Sequence, residues 1–185
     1  MMRHVYVLEK ENTLLLVVDY QKKLLAAFKE PEAPVQNCIK LIKFAKIMGI
    51  PIIWTEQYPK GLGPTTDAVR NELMPCSPIE KLTFSCFGEP RFVSALSSHS
   101  QGQLMVCGIE THICVEQTSL DGIAAGYQVH VVADACASRR IQDHEIGLHK
   151  IEQAGGVLTC SEMAMYEILR AADAKEFREV LKIVK

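Results

Sequence analysis

Three residue types able to carry covalent catalysis stand where a fold could gather them. Asp19 follows five consecutive apolar residues, 14–18. Glu110, Thr111, His112 and Cys114 follow a second apolar run that closes on Gly108, and Lys81 lies in the short stretch Ile79-Glu80-Lys81-Leu82-Thr83. A cysteine attacks as its thiolate, yet a free thiol titrates at about 8.5 and is mostly protonated at neutral pH. A lysine ammonium beside the thiol and a helix amino terminus beneath it both favour the thiolate. A buried carboxylate can take the thiol proton and return it to a departing nitrogen, and backbone N–H groups around the cysteine can hold an oxyanion. From spacing alone each residue also has an ordinary use. Asp19 could cap the following helix, Lys81 could be a surface or ion-pairing lysine, His112 a structural loop histidine, and Cys114 one more buried cysteine.

The elements that must position these groups are legible as a pattern. Five apolar runs, at 14–18, 51–55, 104–108, 129–133 and 157–160, alternate with longer amphipathic stretches, and 79–83 reads as a minor sixth strand. Unbroken apolar runs suit strands buried on both faces of a parallel sheet. Val35, Ile39, Ile42, Ala45 and Met48 recur at helical spacing, with Pro34 at the start of that helix and Gly49 then Pro51 at its end. The residues from 115 to 126 also read as a helix, which puts Cys114 at its amino terminus. Between 56 and 77 the pattern predicts a long loop with one short helix near 67–73. The segment 173–184 predicts a surface helix with Phe177, Val180 and Leu181 inward. Strands alternating with helices imply a parallel sheet covered on both faces. Right-handed crossovers then bring the carboxyl ends of the strands, with Asp19, the 110–114 segment and Asp134, to one edge, where such sheets bind ligands.

Composition narrows the function classes. The 185 residues fit one domain, 1–185, and 48% hydrophobic with 23% charged residues excludes intrinsic disorder. Twenty basic residues against 22 acidic ones give a formal charge of −2, so no field exists to recruit a nucleic-acid backbone. The seven cysteines, at 38, 76, 86, 107, 114, 136 and 160, form an odd set without a CxxC pair. That pattern speaks against a zinc knuckle and against a secreted disulfide framework. The expectation is free thiols in a reducing cytoplasm. The amino terminus, from Met1 to Tyr6, lacks an apolar signal region, and the run at 14–18 is far too short to cross a bilayer.

Four motifs in order then carry a resemblance. Asp19-Tyr20-Gln21 follows the first strand. Lys81-Leu82-Thr83-Phe84-Ser85-Cys86-Phe87, Gly108-Ile109-Glu110-Thr111-His112-Ile113-Cys114-Val115 and Asp134-Ala135-Cys136-Ala137-Ser138-Arg139 come after it. The chain resembles the isochorismatase-like cysteine hydrolases, a superfamily that includes nicotinamidases and N-carbamoylsarcosine amidohydrolase, from about Asn12 to Leu169. The resemblance implies an α/β fold, a three-layer αβα sandwich around a six-stranded, mostly parallel, Rossmann-like sheet. It implies a triad of Cys114 as nucleophile, Asp19 as general base and acid, and Lys81 as the cation lowering the thiol pKa. It also implies a cis Ile109–Glu110 peptide, and an oxyanion hole from the amides of Glu110 and Cys114.

The departures from the family pattern refine that expectation. Nicotinamidases bind a metal through an aspartate and histidines after the second strand. Here Thr55-Glu56-Gln57-Tyr58-Pro59-Lys60-Gly61 holds no histidine, so no metal and no cofactor is expected. True isochorismatases, which cleave a vinyl ether, lack the cysteine, so Cys114 points to acyl chemistry through a thioester. The loop from Glu56 to Gly63 looks most like the isochorismatase-domain-containing subgroup. The expected function is hydrolysis of a small amide or related C–N bond, with Gln21, Tyr58 and His112 lining the substrate pocket and a homo-oligomer as the family's usual assembly. Two other readings share these residues: a catalytically silent binding or scaffold protein of the same fold, and a redox-sensing thiol protein built on Cys114.

Overall fold

Each apolar run forms a strand in the computed structural model, which describes residues 3–185. Met1 and Met2, where the amino-terminal stretch read above begins, lie outside the described residues. The strands are β1 (Thr13–Val18), β2 (Ile52–Gln57), β3 (Ile79–Lys81), β4 (Gln103–Ile109), β5 (Gln128–Ala137) and β6 (Val157–Thr159). They lie in the order β3-β2-β1-β4-β5-β6, and every neighbouring pair is parallel. The expected mostly parallel sheet is thus parallel throughout. β1 and β4 are buried along their whole length, as central strands covered on both faces must be.

The chain winds outward from β1 through β2 to β3, then returns to β4 on the other side of β1 and winds on to β6. The order reverses between β1 and β4, so the two loops that leave these strands diverge and open a crevice between them. Asp19 is the first residue after β1, and Cys114 lies five residues after the end of β4.

Two helical layers cover the sheet. On one face, α2 (Glu32–Met48) packs on β5 and against α4 (Asp67–Leu73), α8 (Ser161–Leu169) and α9 (Phe177–Val184). α6 (Glu116–Ala124) and α7 (Ile141–Gln153) pack on β5 together, and the turn Cys86–Gly88 joins α6 to α5 (Pro90–Ser97). Short helices α1 (Lys22–Leu25) and α3 (Pro59–Leu62) follow β1 and β2. In α2 the buried side runs through Pro34, Cys38, Leu41, Ile42, Ala45 and Met48, with Gly49 in the left-handed conformation at its end. Val180 is the inward residue of α9, flanked by half-buried Phe177 and Leu181.

Two stretches differ from expectation. Glu56 and Gln57 extend β2 rather than opening a loop, because β3 supplies a parallel neighbour for both beyond the end of the β1 pairing. The helix after β4 begins earlier: a π-helical turn, Thr111–Val115, precedes α6, so Cys114 sits inside the helical entry and not just before it.

His130 is a cost hidden inside β5. Val129 faces Gly122 of α6, so alternation turns His130 toward the opposite layer. It is fully buried, neither ring nitrogen has a hydrogen-bond partner, and burial pushes its pKa down to about 4. An unfolded histidine titrates at about 6.5, so the unfolded chain takes up the proton first on acidification. Stability present above pH ~6.5 is therefore lost as the pH falls toward ~4, by roughly 3 kcal/mol in total. Urea midpoints measured at about pH 7 and about pH 4.5 should show this loss, and His130→Leu should remove most of the histidine's share of it.

Candidate active site

The crevice between β1 and β4 gathers the acid, the base and the thiol. Asp19 takes a left-handed backbone (φ 54°) as the chain leaves β1, and its side chain is fully buried. Its carboxylate is not a helix cap. Oδ1 accepts from Thr55 Oγ1 at 2.7 Å, and Oδ2 accepts from Lys81 Nζ at 2.6 Å. Lys81 comes from the end of β3, two strands away, and reaches across β2. Its ammonium also donates to Gln57 Oε1 (2.8 Å) and to the carbonyls of Phe84 (3.0 Å) and Thr83 (3.3 Å). Burial pulls the ammonium's pKa down, but the charge and hydrogen bond of the Asp19 carboxylate oppose it, and the net shift is upward. Lys81 is a buried, paired cation and not the surface lysine its spacing allowed.

Cys114 is 4% exposed, and its thiol lies near enough to the Asp19 carboxylate and the Lys81 ammonium to feel both charges. Lys81 acts on the thiol in the expected direction, but it does not act alone. Burial pushes the thiol's pKa up, the Asp19 charge pushes it further, and Lys81 only partly opposes them, so the net shift is strongly upward. The ammonium's attraction is spent mainly on Asp19, its 2.6 Å partner. The net effect favours the neutral form of the thiol. Cys86, fully buried with its Sγ 4.0 Å from Thr55 Oγ1, is likewise held protonated, at about 11, by burial.

The turn carrying the thiol is tied down on its far side. The Ile109–Glu110 peptide is cis. The amides of Ile113 and Val115 donate to the Glu110 carbonyl at 3.1 and 3.3 Å. The Glu110 carboxylate accepts from the Arg139 backbone N–H at 3.0 Å and meets Arg139 Nε at 3.5 Å. Gly108 lets β4 approach β1 at this point, since a Cβ there would stand 2.5 Å from the Val18 carbonyl oxygen.

The residues expected to line the pocket are placed differently from one another. Gln21 is fully buried and its carboxamide is already engaged: Nε2 donates to Gln57 O (2.9 Å) and Gly63 O (2.6 Å), and Oε1 accepts from Gln57 N (2.7 Å). It fixes the end of β2, and through Gln57 the Lys81 ammonium. Gln21→Leu should cost about 2 kcal/mol or more by stranding those groups, measured by urea denaturation. Tyr58, in the left-handed conformation and 49% exposed, lines a depression of about 360 Å³ beside Lys81 and Leu82. His112 is half-buried, its Nδ1 2.8 Å from Ser138 Oγ. Asp134 lies within β5 and not at its end, because the strand runs on to Ala137, and it caps α8 by accepting from Ser161 N (2.7 Å) and Oγ (2.6 Å).

Sequence reasoning passed over Thr55 and Gln57, which hold Asp19 and Lys81. The available signal was the polar tail Thr55-Glu56-Gln57 on an apolar strand, with Gln57 in register with Lys81. Among the described residues no cluster of three or more metal-binding side chains occurs, and no helix is long and apolar enough to cross a membrane.

An α/β sheet with carboxylate, ammonium and thiol at its switch point defines a class of hydrolase-like folds, and comparison with known proteins gives it a family. The isochorismatase domain matches residues 13–163, so the chain belongs to the isochorismatase family, a hydrolase superfamily. Mouse isochorismatase domain-containing protein 2A is 36% identical over 176 residues, covering 95% of this chain and 84% of the relative. A Caenorhabditis elegans structure described as MAR1 ribonuclease is 36% identical with a TM-score of 0.90, covering 96% and 92% of the two chains. The Escherichia coli YcaC gene product, described as an octameric hydrolase of unknown specificity, shares the fold at 24% identity and a TM-score of 0.88, covering 100% and 89%.

Proposed function

We propose that this chain, as one domain over residues 1–185, is a cysteine-dependent hydrolase of a small amide or related C–N bond. The observation that carries the reading is the Asp19 carboxylate, which bonds the Lys81 ammonium at 2.6 Å and whose charge acts on the Cys114 thiol beside it. As Cys114 Sγ forms its bond to the substrate carbonyl carbon, the thiol proton passes to Asp19, and the amides of Glu110 and Cys114 stabilise the oxyanion. Asp19 then gives that proton to the departing nitrogen as the C–N bond breaks, leaving a thioester on Cys114. Water attacks the thioester, its proton passing through Asp19 to the thiolate, and the acid is released. Lys81 stays protonated throughout, holding Asp19 in place and offsetting its charge. Tyr58 and His112 are proposed to border the substrate.

A buried, protonated thiol fits this coupled proton transfer better than a redox sensor, which needs an exposed thiolate. The ribonuclease description belongs to the nematode relative; the acidic net charge here favours a small substrate. The odd set of seven cysteines supports a cytoplasmic setting. A homo-oligomer is part of the same reading, since the Escherichia coli protein of this fold is described as octameric.

The test is a panel of small anilides and activated esters followed by intact mass. An acyl adduct that maps to Cys114 and is released by hydroxylamine is the expected result. Turnover with no dependence on Cys114 would refute the mechanism. Neither adduct nor turnover across the panel would favour a binding protein of this fold.

A further inference from the structure

A depression of about 590 Å³ lies beside the thiol turn. One wall is the segment after α1, with Phe28, Lys29 and Glu30, and the other is the end of β5 and its loop, with Ser138, Arg139 and Arg140. Both walls connect to the candidate active site. The first follows directly from Asp19 and α1. The second is bonded to the thiol turn at three points: Arg139 to Glu110, Ser138 to His112, and His144, also lining the depression, to Thr111 through a 2.8 Å contact.

Its charge runs against that of the chain. Lys29, Arg139 and Arg140 face Glu30 alone on the lining, within a protein of formal charge −2. Glu110 engages Arg139 through Nε and the backbone, leaving the two terminal guanidinium nitrogens for a ligand. Asp19, the other nearby acid, is neutralised by Lys81. Asp143 stands on the far side of His112, 3.9 Å from its Nε2, and does not line the depression. The first turn of α7, which has no side-chain cap, adds a partial positive charge at the same place.

We propose that this depression is the part of the substrate site that recognises the acyl group. In it, Lys29, Arg139 and Arg140 select acyl compounds that carry a carboxylate away from the scissile bond. The proposal rests on Cys114 being the nucleophile. It predicts a charge preference readable without the natural substrate. Iodoacetate and iodoacetamide alkylate the same thiolate and differ by one carboxylate, so their rate ratio cancels thiol ionisation. Exposed Cys76 supplies the reference on the same chain.

Peptide mapping should find the iodoacetate-to-iodoacetamide ratio at Cys114 at least about fivefold above that at Cys76. The ratio should fall toward the Cys76 value in the double variant Lys29→Ala, Arg140→Ala, and on raising salt. These two residues are exposed and lie outside the catalytic set, so the variant should fold normally. A Cys114 ratio equal to that of Cys76, or one unmoved by the double variant, overturns the proposal while leaving the nucleophile intact. If Cys114 reacts with neither reagent while Cys76 reacts with both, the nucleophile reading fails and the proposal with it.

Discussion

Cys114→Ala is expected to lower turnover of any accepted substrate by on the order of 10⁴-fold or more, because the covalent route has no second nucleophile to fall back on. Cys86 cannot replace it: that thiol is fully buried, is held protonated at about 11, and has Thr55 between it and the carboxylate. The fold should survive. The side chain removed is small, and Asp19 keeps its bonds to Thr55 and Lys81, so the stability change should stay near about 1 kcal/mol. Activity measured beside a urea denaturation curve on the same preparation separates the two effects. A Cys114→Ala protein that turns over at the wild-type rate would end the thioester account.

Lys81→Met should have the largest effect on the fold. The ammonium satisfies four acceptors in the interior, among them a fully buried carboxylate. Removing it leaves Asp19 charged and unpaired, a change that costs about 3–5 kcal/mol in buried pairs. The Thr83 and Phe84 carbonyls lose their donor in the same step, so the loop between β3 and the Cys86 turn loosens. Adding Asp19→Asn should recover part of the lost stability, since the uncompensated charge is then gone. Urea midpoints of the two single variants and the double variant decide this. A double variant as unstable as the sum of the singles would mean that the two residues do not act as a pair.

Much of this arrangement was readable in the chain, and the reasons are physical. Central strands of a parallel sheet are buried on both faces, so β1 and β4 appear as unbroken apolar runs, and a polar residue ending such a run, like Asp19, marks the functional edge. Lys81 was findable only through its motif, because a buried lysine and a surface lysine look alike until β3 is placed beside β2. The thiol's net proton affinity was not readable for a related reason. It depends on which of two charges lies closer and on how much water is excluded, and neither is encoded in spacing. Gln21 stands next to the site in sequence, yet its carboxamide turns inward to the backbone of β2. His130 is silent too, since a histidine within an apolar run reads the same whether or not its nitrogens are bonded. The π-helical entry around Cys114 leaves no distinctive residue pattern.

The central claim is that the Asp19 charge keeps the Cys114 thiol protonated at rest and that Asp19 accepts that proton in the reaction. The direct measurement is the pH dependence of Cys114 alkylation by iodoacetamide, in wild type and in Asp19→Asn, followed by peptide mapping. Burial and the Asp19 charge both raise the thiol's pKa, so the wild-type midpoint should lie above the ordinary value of about 8.5. In Asp19→Asn the carboxylate is gone and Lys81 remains, so the midpoint should move down. A wild-type midpoint below about 8.5, or one that Asp19→Asn leaves unchanged, would contradict the account.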